Sequence, residues 1–137
     1  MGINVLILGS GSALPTINSH QSAQIVEVNN RPFLIDCGEG TQVELRRNKV
    51  RIQQINHIFM SHLHGDRFCG LVGLMSTMHL LGRDKDIHIH GPKGLADIVL
   101  MQFKIASSYL SFKMHFHEIN EESKVLFEDK SVKISSL

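Results

Sequence analysis

The stretch Ser61-His62-Leu63-His64-Gly65-Asp66-Arg67 constrains this chain most. Upstream, His57-Ile58-Phe59-Met60 reads as a short buried strand, and downstream Phe68, Leu71, Val72, Met75, Met78 and His79 recur at helical spacing. The stretch is therefore a loop at the mouth of a strand and before a helix. Two imidazoles and a carboxylate at alternating positions of such a loop, His62, His64 and Asp66, can converge on one point. Neutral imidazole and carboxylate are the ligands that Zn²⁺ takes when a site keeps an open position for water. The plainer alternative is a polar loop whose Asp66 caps the following helix.

The flanking sequence surrounds this loop with alternating elements. Residues 3–8 form an apolar, β-branched run that ends in Gly9-Ser10-Gly11-Ser12. That loop lacks the Lys-Ser/Thr of a phosphate-binding P-loop, so it reads as a tight turn using positive φ at glycine. Residues 24–28 and 32–35 read as strands joined by Asn29-Asn30-Arg31, a hairpin signal. Asp36 ends the second strand, and Thr41 is placed to cap a helix carrying Val43 and Leu45. The spacing predicts a helix over 68–81 stopped by Gly82, a polar turn at 83–86, a strand at 87–90 and a helix over 95–109. Residues 113–119, 124–127 and 132–134 read as short strands in an antiparallel run. This order implies an α/β layer, helices packed on a mixed sheet.

Composition sets limits on function. A chain of 137 residues, 42% hydrophobic, can bury a core. A net charge of +1 excludes a globally basic nucleic-acid binder, so any RNA surface is a local patch. The basic run Arg46, Arg47, Lys49, Arg51 reads first as a solvated helix end, where cations complement the dipole, and second as a phosphate contact. Cys37 and Cys69 lack CxxC spacing and lie in apolar sequence, which suggests reduced thiols. No apolar run is long enough to span a bilayer, and the start lacks a signal-peptide layout. Leu6 stands where a myristoylation motif after Met1-Gly2 wants Ser or Thr. The expectation is a soluble cytoplasmic protein with no membrane partner.

Three ordered motifs carry a resemblance: Gly9-Ser10-Gly11-Ser12-Ala13-Leu14-Pro15-Thr16, Ile35-Asp36-Cys37-Gly38-Glu39-Gly40-Thr41-Gln42 and Ser61-His62-Leu63-His64-Gly65-Asp66. The last matches the His-x-His-x-Asp-His hallmark of the metallo-β-lactamase superfamily, with Arg67 in the place of the third histidine. Together they resemble the amino-terminal half of the ribonuclease Z family of tRNA 3′-processing endonucleases. The resemblance implies an α/β, metallo-β-lactamase-like fold, one sheet-plus-helices half of a four-layer αββα architecture, over residues 1–137 and truncated at the C-terminus. It implies a zinc-dependent hydrolase acting on precursor tRNA, commonly a homodimer, with two zinc ions per active site.

Carried over, His62 and His64 are ligands of the first metal, and Asp66 is a ligand of the second and a catalytic proton acceptor. Asp36 is the carboxylate that orients a ligand histidine from behind. Arg67 carries no lone pair to donate, so the second zinc loses a ligand and the guanidinium becomes a candidate phosphate contact. The later ligands, a histidine, an aspartate and a final histidine, are expected beyond Leu137, so the chain by itself is expected to be inactive. Two alternatives stay open. One is a degenerate, non-catalytic module of the same fold that binds RNA or a protein; the other is a different metallo-hydrolase on that fold. The remaining histidines get packing roles: His57 is expected to be satisfied by backbone, and the pairs His88/His90 and His115/His117 to share strand faces. His20 and His79 have no assigned role.

Overall fold

The computed structural model describes residues 2–11, 14, 17, 21–63 and 65–136, with the side chains of residues 65 and 66 outside the description. The first three strands, β1 (Ile3–Gly9), β2 (Ala23–Val28) and β3 (Arg31–Ile35), form an antiparallel meander. Asn29 and Asn30, both at positive φ (52° and 64°), make the two-residue turn between β2 and β3. Asparagine tolerates that left-handed backbone, and the turn's twist matches the strands it joins. Gly9 is the extended last residue of β1, paired with Ala23 after a register shift, and most of the loop beyond Gly11 lies outside the described residues.

Chain direction then becomes parallel. Helix α1 (Thr41–Arg47) and a 3-10 turn (Ile52–Gln54) lead to β4 (His57–Phe59). Helices α2 (Gly65–Phe68) and α3 (Leu71–Leu80) lead to β5 (Ile87–Gly91), and α4 (Leu95–Ile105) leads to β6 (Met114–Glu118). The six strands lie in the order of the sequence, with β3, β4, β5 and β6 mutually parallel. A separate antiparallel hairpin follows, β7 (Val125–Glu128) and β8 (Lys133–Ser135). The α/β mixed sheet expected from the sequence is present. Of the expected antiparallel run of the last three strands only β7–β8 is present: β6 joins the main sheet in parallel, because α4 provides the crossover that parallel pairing needs.

Alternation along the strands divides the sheet into two faces. Leu8, Ile25, Leu34, Ile58 and Ile89 bury against Leu45 of α1, Leu74 and Met78 of α3, and Val99 of α4 in the main core. Each such side chain contributes about 1.5–3 kcal/mol by leaving water. On the opposite face Phe33 and Phe59 pack with Val132, Leu126, Phe127 and Ile134 of the β7–β8 hairpin. His57 lies there too, and its Nδ1 is 3.1 Å from His90 Nε2, so a second imidazole rather than backbone satisfies it.

Several local expectations are corrected by packing. The helix expected over 68–81 is two helices, because Gly70 passes so close to the Gly38 carbonyl that a Cβ there would collide with it. Thr41 is the first helical residue and not the cap. Gly40 at φ 82° starts the helix, and the Thr41 hydroxyl donates to the Gly38 carbonyl at 2.6 Å. Helix α4 ends at Ile105, short of Tyr109, with Ser107 at positive φ just beyond it. The polar turn at 83–86 hides a buried cation. Arg83 donates to the carbonyls of Gln53, Lys85 and Asp86 and to Asn56 Oδ1 at 2.8–3.1 Å. Cys69 is exposed, contrary to the apolar setting expected for it, while Cys37 is buried.

Candidate metal centre

The parallel strands β3, β4 and β5 all deliver their following loops to one end of the sheet, where open α/β sheets place their ligands. Two antiparallel steps give β1 the same direction, so its glycine-rich loop begins at that end as well. The described beginnings of the three sequence motifs therefore lie at one end of the sheet although they are far apart in the chain.

Asp36 is the centre of this end. It leaves β3 at φ 59°, a left-handed conformation rare outside glycine, asparagine and aspartate. Its amide still donates to the Phe59 carbonyl at 2.7 Å, extending the β3–β4 ladder by one bond. The carboxylate is buried and turned toward the loop after β4. It accepts from the Ser61 amide at 2.9 Å and from the Ser61 hydroxyl at 3.0 Å. Arg67 Nη1 donates to Asp36 Oδ2 at 3.0 Å and to the Ser22 hydroxyl at 3.1 Å. Backbone bonds reinforce this staple: the Cys37 amide donates to the Arg67 carbonyl at 2.7 Å, and the Gly70 amide to the Cys37 carbonyl at 2.9 Å. The Gly38 amide donates to Ser22 and the Glu39 amide to Gln21 Oε1, which ties in the segment that leads to β2.

Among the residues singled out from sequence, the structure thus brings Asp36 and Arg67 into direct contact. His62 is exposed, one residue beyond Ser61, and Leu63 beside it packs on the main core near Gly94. His64 lies outside the described residues. Asp66 is in α2, but its side chain also lies outside the description. Among the described residues no three histidine, cysteine, aspartate or glutamate side chains are arranged to hold a metal ion. Ser61 and Ser22 are the positioning residues that sequence reasoning missed. The signal for Ser61 was its adjacency to the motif; Ser22 had none, since only the fold brings it near Arg67.

Cys37 sits beside Asp36 but is no candidate ligand or nucleophile. Burial pushes its thiol up to about 12, the Thr41 hydrogen bond works against this, and the Asp36 charge adds to it. The basic run remains at the surface, with Arg46, Arg47, Lys49 and Arg51 exposed and Arg47 paired with Glu44 one turn earlier. No helix among the described residues is long and apolar enough to cross a membrane.

Comparison with known proteins agrees with this architecture. A family profile described as Anti-Pycsar protein Apyc1 matches residues 3–134. Ribonuclease Z of Bacteroides thetaiotaomicron is 45% identical over 132 residues, 96% of this chain and 42% of that protein. Ribonuclease Z of Parabacteroides distasonis is 41% identical over 135 residues, covering 98% and 44%. The chain thus spans less than half the length of the curated relatives it matches. Among solved structures, human tRNase Z, short form, superposes with a TM-score of 0.83 at 33% identity over 92% of this chain and 55% of that one. The metallo-β-lactamase fold protein YhfI from Bacillus subtilis superposes at 0.68 with 18% identity, over 92% and 50%, a likeness of fold alone. With its metallo-β-lactamase-like architecture and its likeness to the amino-terminal half of ribonuclease Z, the chain belongs to the family described as Anti-Pycsar protein Apyc1.

Proposed function

We propose that residues 1–137 form one metallo-β-lactamase-like domain carrying the amino-terminal motifs of a metal-dependent endoribonuclease that hydrolyses the phosphodiester at the 3′ end of precursor tRNA. The carrying observation is the staple by which Ser61 and Arg67, on either side of His62, His64 and Asp66, are held to Asp36 at the end of the sheet where β1 and β3 also end. Identity of 45% to a ribonuclease Z over nearly the whole chain supports the same reading.

The donor chemistry suits one zinc ion: two imidazoles and a carboxylate leave an open position. Such an ion, when bound, would acidify a water and polarise a phosphoryl oxygen. His62, His64 and Asp66 would hold it, and Asp66 would accept the proton of the attacking water. Asp36 acts from behind by fixing Ser61, the residue that precedes His62. Arg67 offers no donor to a second metal. Its charge is directed at Asp36 and is partly compensated there, so any attraction for a substrate phosphate acts through the one-third of its side chain that stays exposed.

The partners on this reading are precursor tRNA and a second copy of the chain in a cytoplasmic homodimer. Exposed Ile3, Val5 and Ile7 give the sheet an apolar strip that favours association. A second reading also has support. The family profile and the curated relatives carry different descriptions, and one fold hosts many chemistries, so another phosphodiester hydrolysed by the same centre is the runner-up.

Zinc content and cleavage of a precursor tRNA, measured for the chain and for Arg67→His, test the proposal. The expected result is about one zinc in the parent chain and a higher content in the variant. RNA cleavage, if it appears in either, should be stronger in the variant. Zinc-free protein in both cases overturns the reading in favour of a non-catalytic module, and cleavage of a simple phosphodiester but not of tRNA overturns it in favour of another hydrolase.

A further inference from the structure

Five histidines lie on the sheet face opposite the helices, and the proposed chemistry uses none of them. Register places His57, His88 and His115 side by side on β4, β5 and β6, with Phe59, His90 and His117 in the next row. Neighbouring rings are near-parallel, with centroids 4.6–5.0 Å apart for His57–His88, His88–His115 and His90–His117. Two diagonal bonds join the rows: His57 Nδ1 to His90 Nε2 at 3.1 Å and His88 Nδ1 to His117 Nε2 at 2.8 Å. A bond between two imidazoles needs one ring nitrogen to donate and the other to accept, a role that a doubly protonated ring cannot fill. The geometry is that of a hydrogen-bonded array and not of a ligand set around a cation.

The β7–β8 hairpin closes over one end of this array. Its Phe127 ring lies 4.1 Å from the His57 ring and 6.0 Å from Phe33. Arg31 holds the hairpin from β3, through Asp129 at 2.7 Å and the Ser131 hydroxyl at 3.1 Å. We propose that the β7–β8 hairpin is a proton-sensitive latch: it stays closed while the His57 imidazole beneath Phe127 is neutral, and acid opens it.

The groups around His57 favour this reading. Burial is the largest influence holding its pKa down, to about 4; His88, Arg31 and His117 push the same way, and only Asp129 opposes them. Lys85, another cation, lines the same cavity as His57 and Arg31. His90, bonded to His57, is lowered to about 3, chiefly by burial and then by His117, His57 and His88. Asp129 is held at about 2 by the Ser131 amide and Arg31, so it keeps its charge throughout the relevant range. At the far end of the array His115 contacts Asp86 at 2.8 Å. The sign follows from linkage. An opened hairpin releases His57 toward its ordinary value near 6.5, so the open state binds more protons between pH 6.5 and about 4. Closure is therefore fully favoured above pH 6.5 and is lost as pH falls toward 4.

Hydrogen exchange of the hairpin amides on the whole chain, corrected for intrinsic rates, tests the latch against β2–β3 as internal control. Protection of β7 and β8 should fall about tenfold between pH 7 and 5, while β2–β3 changes less than roughly twofold. His57→Phe keeps an aromatic ring under Phe127 and removes the titration, so its hairpin protection should be nearly flat over that interval. His57→Gln serves the same purpose if the phenylalanine variant folds poorly. Constant hairpin protection in the parent chain, or the parent's slope in both variants, overturns the proposal.

Discussion

The most direct test of the sheet-edge staple is the coupling between Asp36 and Arg67. Asp36→Asn removes the charge while keeping a residue that tolerates φ 59°, so backbone strain does not confound the result. Arg67→Met removes the guanidinium and keeps an unbranched apolar stem. Breaking a buried ion pair from one side costs about 3–5 kcal/mol, because the other charge is left unpaired. Two features reduce that figure here. The Arg67 side chain is 32% exposed, and the Asp36 carboxylate, 4% exposed, keeps its bonds from the Ser61 amide and hydroxyl. We expect Arg67→Met to lose about 2–3 kcal/mol and Asp36→Asn about 1–2 kcal/mol. The double variant should lose less than the sum, with a coupling of about 1.5–2 kcal/mol. Urea unfolding of the four proteins at neutral pH measures this cycle. A coupling below about 0.5 kcal/mol would mean that the pair behaves as an ordinary surface ion pair, and the staple argument would fail.

Two further outcomes follow from the same region. Gly70→Ala should cost about 3 kcal/mol or more in urea unfolding, since the added methyl meets backbone that cannot rotate away; a near-neutral result would disprove the close contact with Gly38. A thiol-reactive probe should modify the exposed Cys69 in the native chain and reach Cys37 only on unfolding, which counting labels before and after denaturant will check.

Local signals carried much of the architecture. Asn29-Asn30 announced its turn because the constraint lies in two adjacent residues, and the strand patterns around it survived intact. Features set by distant partners stayed hidden. Nothing near Gly70 reports that Gly38 will press against it, so the 68–81 pattern read as one helix. Arg83 looked like part of a solvated turn because its acceptors, Gln53 and Asn56, come from another segment. The i, i+2 histidine pairs were visible one strand at a time. Their union into one array depends on β6 joining β5 in parallel, where an antiparallel arrangement was expected. At the site, Asp36 and the motif loop were legible as residues, whereas the contact between Asp36 and Arg67 needs the crossover that brings β3 and β4 together.

Because the six strands lie in the order of the chain, every new strand finds its partner already made. The β2–β3 turn has the shortest loop to close, and each later crossover places one strand beside the one before it. No strand has to wait for a distant one or be inserted between two that are already paired. The sheet can thus be extended at one edge, and the Asp36 segment is complete only when Phe59, Ser61 and Arg67 arrive to hold it.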